Sequence, residues 1–270
     1  MYLNIVVVGT GGTGGAFLTR FCQFLAGKPL NEYHLVICDG DQVEAKNTSR
    51  QPFMPCDISR NKACVLSEIF NDMYGLDISY SPFYIEKAED IDSLFYPYPY
   101  RQIKVLIGTV DNHAARLCMD QYFRMTRGPI IYMDSGNEFQ HGQVVFGVKN
   151  AKGQIISPPA ADYFPEILQG GKPKSQTHCE EINLSSPQHL ATNNWAAAIL
   201  FSAASLFMAD NEKNIPTGIT YFDAFKMWTR HDEVSEEYLA SLSKKKRSKK
   251  EAKDPAPKKG RKKAEKKVGA

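Results

Sequence analysis

The sequence predicts a doubly wound α/β fold, with a mainly parallel sheet and helices on both faces. Three observations lead there. Over the first 150 residues, apolar runs of strand length alternate with segments of helical period. Those runs are continuous and rich in β-branched residues, the pattern of strands buried on both faces. A glycine pattern, G-x-G-x-x-G at Gly9, Gly11 and Gly14, joins the first such run to the first helix.

The elements follow in order. "LNIVVV" is the first strand, and helix runs from about Gly14 to Leu25. "YHLVICDG" is the second strand. A helix from about Ser59, read as its N-cap, to Met73 carries Ala63, Leu66, Ile69 and Phe70 on one face. "ISYSPFYI" is the third strand and "IKVLIGTVD" the fourth. A helix from about Asn112 to Met125 leads to "PIIYMD", the fifth, and "GQVVFGV" is a further strand. Residues 149–178, rich in Pro, Gly, Lys and Gln, read as a long crossover loop, and loops of that length are usually functional or mobile. A long apolar helix, "LATNNWAAAILFSAASLFMA", then precedes a hairpin around "GITYFDAFKMW". The expected division is a nucleotide-binding domain over 1–242 and a tail over 243–270.

Composition bounds the function class. Hydrophobic residues make up 43% and charged residues 23%, which suits a soluble globular body. No apolar run approaches 18 residues, so no membrane span is expected. "MYLNIVVVG" lacks the basic region and cleavage site of a signal peptide. Six cysteines, none in C-x-x-C, point to reduced thiols, a cytoplasmic location and no structural zinc. From Lys244 onward, 14 Lys or Arg oppose three carboxylates. That segment nets +11, so the total of +3 leaves −8 on the first 243 residues. The tail is expected to be disordered, and it suits either contact with nucleic acid or acidic protein through counterion release, or self-docking on the acidic body.

The glycine loop is Rossmann-like. Its first glycine permits a tight turn, its second lets backbone approach phosphate, and its third lets helix pack on strand. The helix N-terminus then offers free N–H groups to phosphate oxygens. Asp39, 25 residues after Gly14 at the end of the second strand, is placed to hydrogen-bond a ribose hydroxyl. This says nucleotide, without choosing NAD or ATP. The residues that choose lie further along: Asn47, Arg50 and Gln51 in N-x-x-R-Q spacing, Lys62 at a helix start, and Asp111 after the fourth strand. Arg50 and Lys62 suit neutralisation of charge on phosphates, Asn47 adds a neutral hydrogen bond, and Asp111 suits Mg²⁺. Asp111 also reads as the N-cap of the helix that follows it. Hydride transfer has no use for this set, so ATP is favoured and an NAD-dependent oxidoreductase ranks low.

The order G-x-G-G-x-G, D-x-D-x-V, N-x-x-R-Q, K and D-N-x-x-x-R, over roughly residues 4–150, resembles the ThiF/MoeB/ubiquitin-activating-enzyme superfamily. "GNEFQHGQVVFG", with Gly136, Gly142, Gln143 and Val144, is similar to the strand that follows that family's adenylation site. The short format looks most like the ThiF-family proteins of plasmid-borne PRTRC systems. The resemblance implies an ATP- and Mg²⁺-dependent adenylyltransferase. It would activate the C-terminal carboxylate of a small ubiquitin-like or sulfur-carrier protein and release pyrophosphate. It further implies nucleotide contacts from Gly9, Gly11, Gly12, Gly14, Asp39, Asn47, Arg50 and Lys62, with Asp41 and Gln51 in support, Mg²⁺ on Asp111, and a homodimer.

Three departures stand out. The chain opens directly on a strand, without the arginine-bearing helix that precedes it in relatives of MoeB. The family's zinc-binding C-x-x-C pairs are missing, and "KNTSRQ" replaces the usual leucine with Thr48. Cys179, after the long loop, stands where some relatives carry a cysteine that takes a thioester or persulfide. His178 or a helix N-terminus would activate it, Glu180 and Glu181 oppose that, and an inert thiol is the alternative. A nucleotide-binding component of a plasmid or mobile-element system, without turnover, is the other reading of the whole chain.

Overall fold

Strand order explains where a ligand can bind. In the computed structural model, which describes residues 2–97, 101–172, 175, 189–209, 214–237 and 240, β1 (Tyr2–Val8) is central to a nine-stranded sheet. It pairs in parallel with β2 (Tyr33–Cys38) on one side and β4 (Gln102–Gly108) on the other. Beyond β2 lies β3 (Ile78–Ser81), and beyond β4 lies β5 (Ile130–Asn137), both parallel. The chain therefore winds one way from β1 through β3 and the other way from β4 through β5, which opens a crevice at the strand C-termini between β1 and β4. This is the predicted doubly wound arrangement. Antiparallel strands extend it: β6 (His141–Lys149) pairs with β5, β7 (Ile155–Ser157) and β8 (Gly218–Asp223), and β8 pairs with β9 (Trp228–Asp232).

Alternate residues of β1 feed two cores, as the period of a strand requires. Leu3, Ile5 and Val7 pack with Phe17 and Phe21 of α1 (Gly12–Leu25), Leu66 and Phe70 of α2 (Lys62–Tyr74), and Leu200 and Phe207 of a later helix. Val6 and Val8 face Ile91 of α3 (Ala88–Leu94) and Met119 and Phe123 of α4 (His113–Met125). A short helix, α5 (Ala160–Tyr163), covers the antiparallel extension, and α6 (Leu190–Ala209) packs beside α1. The chain divides after Val234 into two units, Met1–Val234 and Ser235–Ala270. Only residues 235–237 and 240 of the second are described, so the expected tail over 243–270 lies outside the described residues.

Several local expectations are corrected. Helix α2 begins at Lys62 and not at Ser59, which sits at φ 73° in a turn where its N–H donates to the Val43 carbonyl. The cap is Asn61, whose Oδ1 accepts from Cys64 N at 3.0 Å. Strand β3 stops at Ser81 because Pro82, next in the chain, has no N–H for the ladder. The sequence reading omitted α3, only seven residues long. Residues 149–172 are not a plain loop, since they hold β7, α5 and a 3₁₀ turn, Pro165–Gln169. Finally, α6 is long and apolar enough to cross a membrane by length and composition, contrary to the expectation that no such run exists. In this fold Ala196, Ala197, Leu200, Ala204 and Phe207 are buried in the core.

Candidate active site

The crevice at the strand reversal opens into a cleft of about 1370 Å³. Its walls are the ends of the parallel strands. Val8 and the glycine loop come from β1, Cys38 and Asp39 from β2, Thr109 to Asp111 from β4, and Gly136 and Asn137 from β5. Ten of the sequence-predicted site residues line it: Gly9, Gly11, Gly12, Asp39, Asp41, Asn47, Arg50, Gln51, Lys62 and Asp111. They come from positions up to about 100 residues apart, and the βαβ winding brings them together.

Gly9 holds φ 92°, where a side chain would also stand 2.8 Å from the Thr109 carbonyl oxygen, so only glycine fits the turn. Gly11 is open toward the cleft, with Gln51 Nε2 the nearest atom at 4.0 Å from a notional Cβ. It is also the N-cap of α1, which has no side-chain cap and no acidic residue in its first turn. The helix therefore presents unpaired N–H groups to the cleft. Gly14 is a correction to the expected nucleotide contacts. It does not line the cleft, because it abuts the Gly9 carbonyl, where a Cβ would approach to 2.1 Å. Its part is helix-on-strand packing.

Asp39 is held as a hub. Its Oδ2 accepts from Thr10 N at 2.7 Å and from Thr10 Oγ1 at 3.0 Å, while its Oδ1 accepts from Asp41 N at 2.9 Å. These bonds fix the glycine loop to the end of β2. Next to it, Lys62 Nζ donates to Asp41 Oδ2 at 3.0 Å, with both side chains more than nine-tenths buried. Tyr84 donates to the other oxygen, Asp41 Oδ1, at 2.6 Å. Asn61 joins the same corner by donating Nδ2 to the carbonyls of Asp39 and Asp41 at 2.7 and 3.1 Å. The supporting place expected for Asp41 thus has a definite form: it anchors Lys62.

Asn47 is buried, its Oδ1 accepts from Glu44 N at 2.9 Å, and its carbonyl accepts from Arg50 N at 3.0 Å, which ties the backbone of Arg50 to this short turn. The Arg50 side chain makes no hydrogen bond or ion pair with another described residue. Gln51 Oε1 is buried without a partner among them. Asp111 is exposed at the cleft, and the cap of α4 is Asn112, whose Oδ1 accepts from Ala115 N at 2.8 Å. This corrects the capping reading of Asp111, which is one of the residues lining the cleft. Cys179, proposed from the sequence as a covalent centre, lies outside the described residues.

Sequence reasoning missed other residues of the wall. Tyr84 was hidden in a segment read as strand. Arg116 belongs to the D-N-x-x-x-R pattern, whose spacing alone assigns it no role. Thr13, Asn137 and Asn193 form a polar cluster in which Asn137 Nδ2 donates to Asn193 Oδ1 at 2.7 Å, joining α1, β5 and α6 beside the glycine loop. No local pattern marks three polar residues that lie more than 50 residues apart. The five cysteines described are all free; Cys22, Cys38 and Cys118 are buried, whereas Cys56 is exposed.

Solved structures share this fold. E. coli MccB, seen with AMPCPP and MccA, is 17% identical and covers 85% of this chain at a TM-score of 0.59. The microcin C7 biosynthetic enzyme MccB in complex with N-formylated MccA is 18% identical, with 85% of this chain covered at 0.59. PaaA is 14% identical, with 87% covered at 0.57. The match spans 63%, 64% and 64% of those chains, respectively. No curated protein matches the chain in sequence. Residues 2–256, which take in every wall of the cleft, match the ThiF family, and the chain belongs to that family.

Proposed function

We propose that the protein is an ATP-dependent adenylyltransferase that activates the C-terminal carboxylate of a ubiquitin-like, sulfur-carrier-type or peptide substrate. One observation carries the reading: Arg50, Lys62, Asn47 and Asp111 line the same cleft as the glycine loop and the N-terminus of α1. The family match and the likeness to MccB, a structure of which was solved with ATP, support it.

The residues present fit the nucleotide and its metal. Gly11 leaves open space where phosphate must approach backbone, and the nearest side-chain atom there is a donor, Gln51 Nε2, at 4.0 Å from a notional Cβ. Mg²⁺ is commonly bound by one or two carboxylates together with phosphate oxygens, a donor set that Asp111 begins. Bound there, the ion would supply Lewis-acid stabilisation of the phosphates. The chain's own groups do the rest. The N–H groups of α1 and Asn47 orient the phosphates, and Asp39 takes the ribose. Attack of the substrate carboxylate on the α-phosphorus forms the acyl–phosphate bond and breaks the bond to pyrophosphate. Arg50 and Lys62 offset the negative charge that builds on the phosphoryl oxygens. Cys179 as a later thioester or persulfide carrier, a cytoplasmic homodimer, and a place among PRTRC-system ThiF proteins complete the proposal.

ATP–pyrophosphate exchange with candidate carrier proteins and peptides tests it. Exchange should depend on the carboxylate substrate and fall by about 10²–10³ in Arg50→Ala, the usual cost of one charge-stabilising donor. Because Arg50 has no described side-chain partner, its stability should stay within about 0.5 kcal/mol of wild type. A second reading, nucleotide binding without turnover, draws on Lys62 being already neutralised by Asp41. Tight ATP binding with no exchange for any substrate would establish it instead.

A further inference from the structure

Arg116 stands on the first turn of α4, yet its side chain serves the strands. Its Nη2 donates to the Val110 carbonyl at 2.9 Å and to the Ser135 carbonyl at 2.8 Å. Val110 lies two residues beyond the end of β4 and Ser135 lies two residues before the end of its parallel neighbour β5, on the side of both strands that leads to the cleft. Val110 immediately precedes Asp111. Ser135 immediately precedes Gly136, where a Cβ would stand 3.3 Å from Arg116 Nη2 and 2.5 Å from Gln143 Nε2. A side chain at 136 would have to displace the end of Gln143 and press on Arg116.

The guanidinium is held from behind. Its Nε lies 3.5 Å from Asp134 Oδ2, close enough for attraction although outside hydrogen-bond geometry, and both side chains are largely buried. Burial of Asp134 weighs against its charge, and Arg116 is the cation that opposes this. A cation at this depth, with a carboxylate behind it, is not a solvated surface arginine. It directs two donations to backbone carbonyls, Val110 just past β4 and Ser135 in β5, and so satisfies acceptors on both segments at once.

We propose that Arg116 is a positioning residue for the metal–phosphate end of the site: by clamping the ends of β4 and β5 it sets Asp111 in register with the glycine loop. Asp134, 3.5 Å behind its Nε, holds the guanidinium in place. The inference rests on the reading of Asp111 as the Mg²⁺ carboxylate. Groups that orient metal ligands without touching the ion typically account for 10–100-fold in metal affinity.

The test is ATP binding to the full chain by titration calorimetry across a Mg²⁺ series, with Arg116→Ala and Arg116→Lys beside wild type. Amide hydrogen exchange of the nucleotide-free proteins accompanies it. In Arg116→Ala, the Mg²⁺ concentration for half-maximal enhancement of ATP affinity should rise about tenfold or more. Affinity in EDTA should be unchanged, and exchange should quicken at residues 109–112 and 135–137 while β1 and β2 stay protected. Arg116→Lys keeps a cation opposite Asp134 and should fall between the two, which covers the case in which the alanine variant fails to fold. A Mg²⁺ midpoint equal to wild type in a folded Arg116 variant overturns the proposal. So does a loss of protection spread over the whole sheet. Wild-type ATP affinity that ignores Mg²⁺ or Asp111→Ala overturns the assignment of Asp111 itself, and the two failures are thereby told apart.

Discussion

Lys62 and Asp41 form an ion pair at 3.0 Å in a corner of the cleft where both side chains are more than nine-tenths buried. Lys62 is the cation that the adenylation reading directs at phosphate, and an ammonium has three donors. One is committed to Asp41, which leaves the group held in place with donors still to offer. Tyr84 and Asp41 hydrogen-bond at 2.6 Å, so the anchor is itself anchored.

Removing one partner of such a pair strands the other charge out of water. Asp41→Ala should cost about 3–5 kcal/mol in urea unfolding. A double variant, Asp41→Leu with Lys62→Met, should recover most of that loss, because an apolar pair of similar size avoids the desolvation penalty. It should remain inactive in pyrophosphate exchange. If the double variant is as unstable as Asp41→Ala, the pair is not the source of the cost.

The three glycines at the turn should separate stability from binding. Gly14→Ala forces a Cβ to 2.1 Å from a backbone oxygen, and Gly12→Ala forces one to 2.2 Å from Asn193 Nδ2, a side chain with some freedom to yield. Gly14→Ala should therefore be the more damaging, with overpacking costs of about 1–3 kcal/mol or above, and Gly12→Ala the milder. Gly11→Ala meets open space and should unfold within about 1 kcal/mol of wild type, yet bind ATP more weakly. Thermal melts beside nucleotide titrations decide the order; a Gly11→Ala protein with wild-type ATP affinity would remove the loop from the binding site.

Asp134 predicts a pH dependence of stability. Burial raises its carboxyl from 3.8 to about 6, with Arg116 pulling the other way. A carboxyl whose folded value lies above its unfolded value holds its proton longer in the native state. It therefore favours the fold at low pH, and that contribution is lost as pH rises from about 4 through 6. Two units correspond to about 3 kcal/mol. Urea unfolding of wild type and Asp134→Asn between pH 4 and 7 should show wild type losing ground to the variant by that order. A difference independent of pH would contradict the shift.

Much of this was legible in the sequence because it is local or periodic. Continuous apolar runs identify buried parallel strands, and the glycine pattern fixes the turn between β1 and α1. The motif residues Asn47, Arg50, Lys62 and Asp111 were recognisable by type and spacing, and the fold brings them to one cleft. Boundaries were less legible. Ser59 and Asn61 are both acceptable caps in sequence, and the choice fell to Asn61 because Ser59 is drawn into a turn with Val43. Likewise Asp111 and Asn112 compete for one cap, and the backbone awards it to Asn112.

What the sequence determined by itself is therefore the winding of the parallel sheet and the inventory of groups that meet at its edge. Tertiary structure decided how those groups are committed. Asp41 holds Lys62, Thr10 holds Asp39, Gly14 packs against backbone, and Arg116 ties two strand ends. The physical reason is range. Strand and turn preferences are set by neighbours in the chain, whereas the partner of a buried polar group is set by whichever donor or acceptor the completed fold brings within about 3 Å.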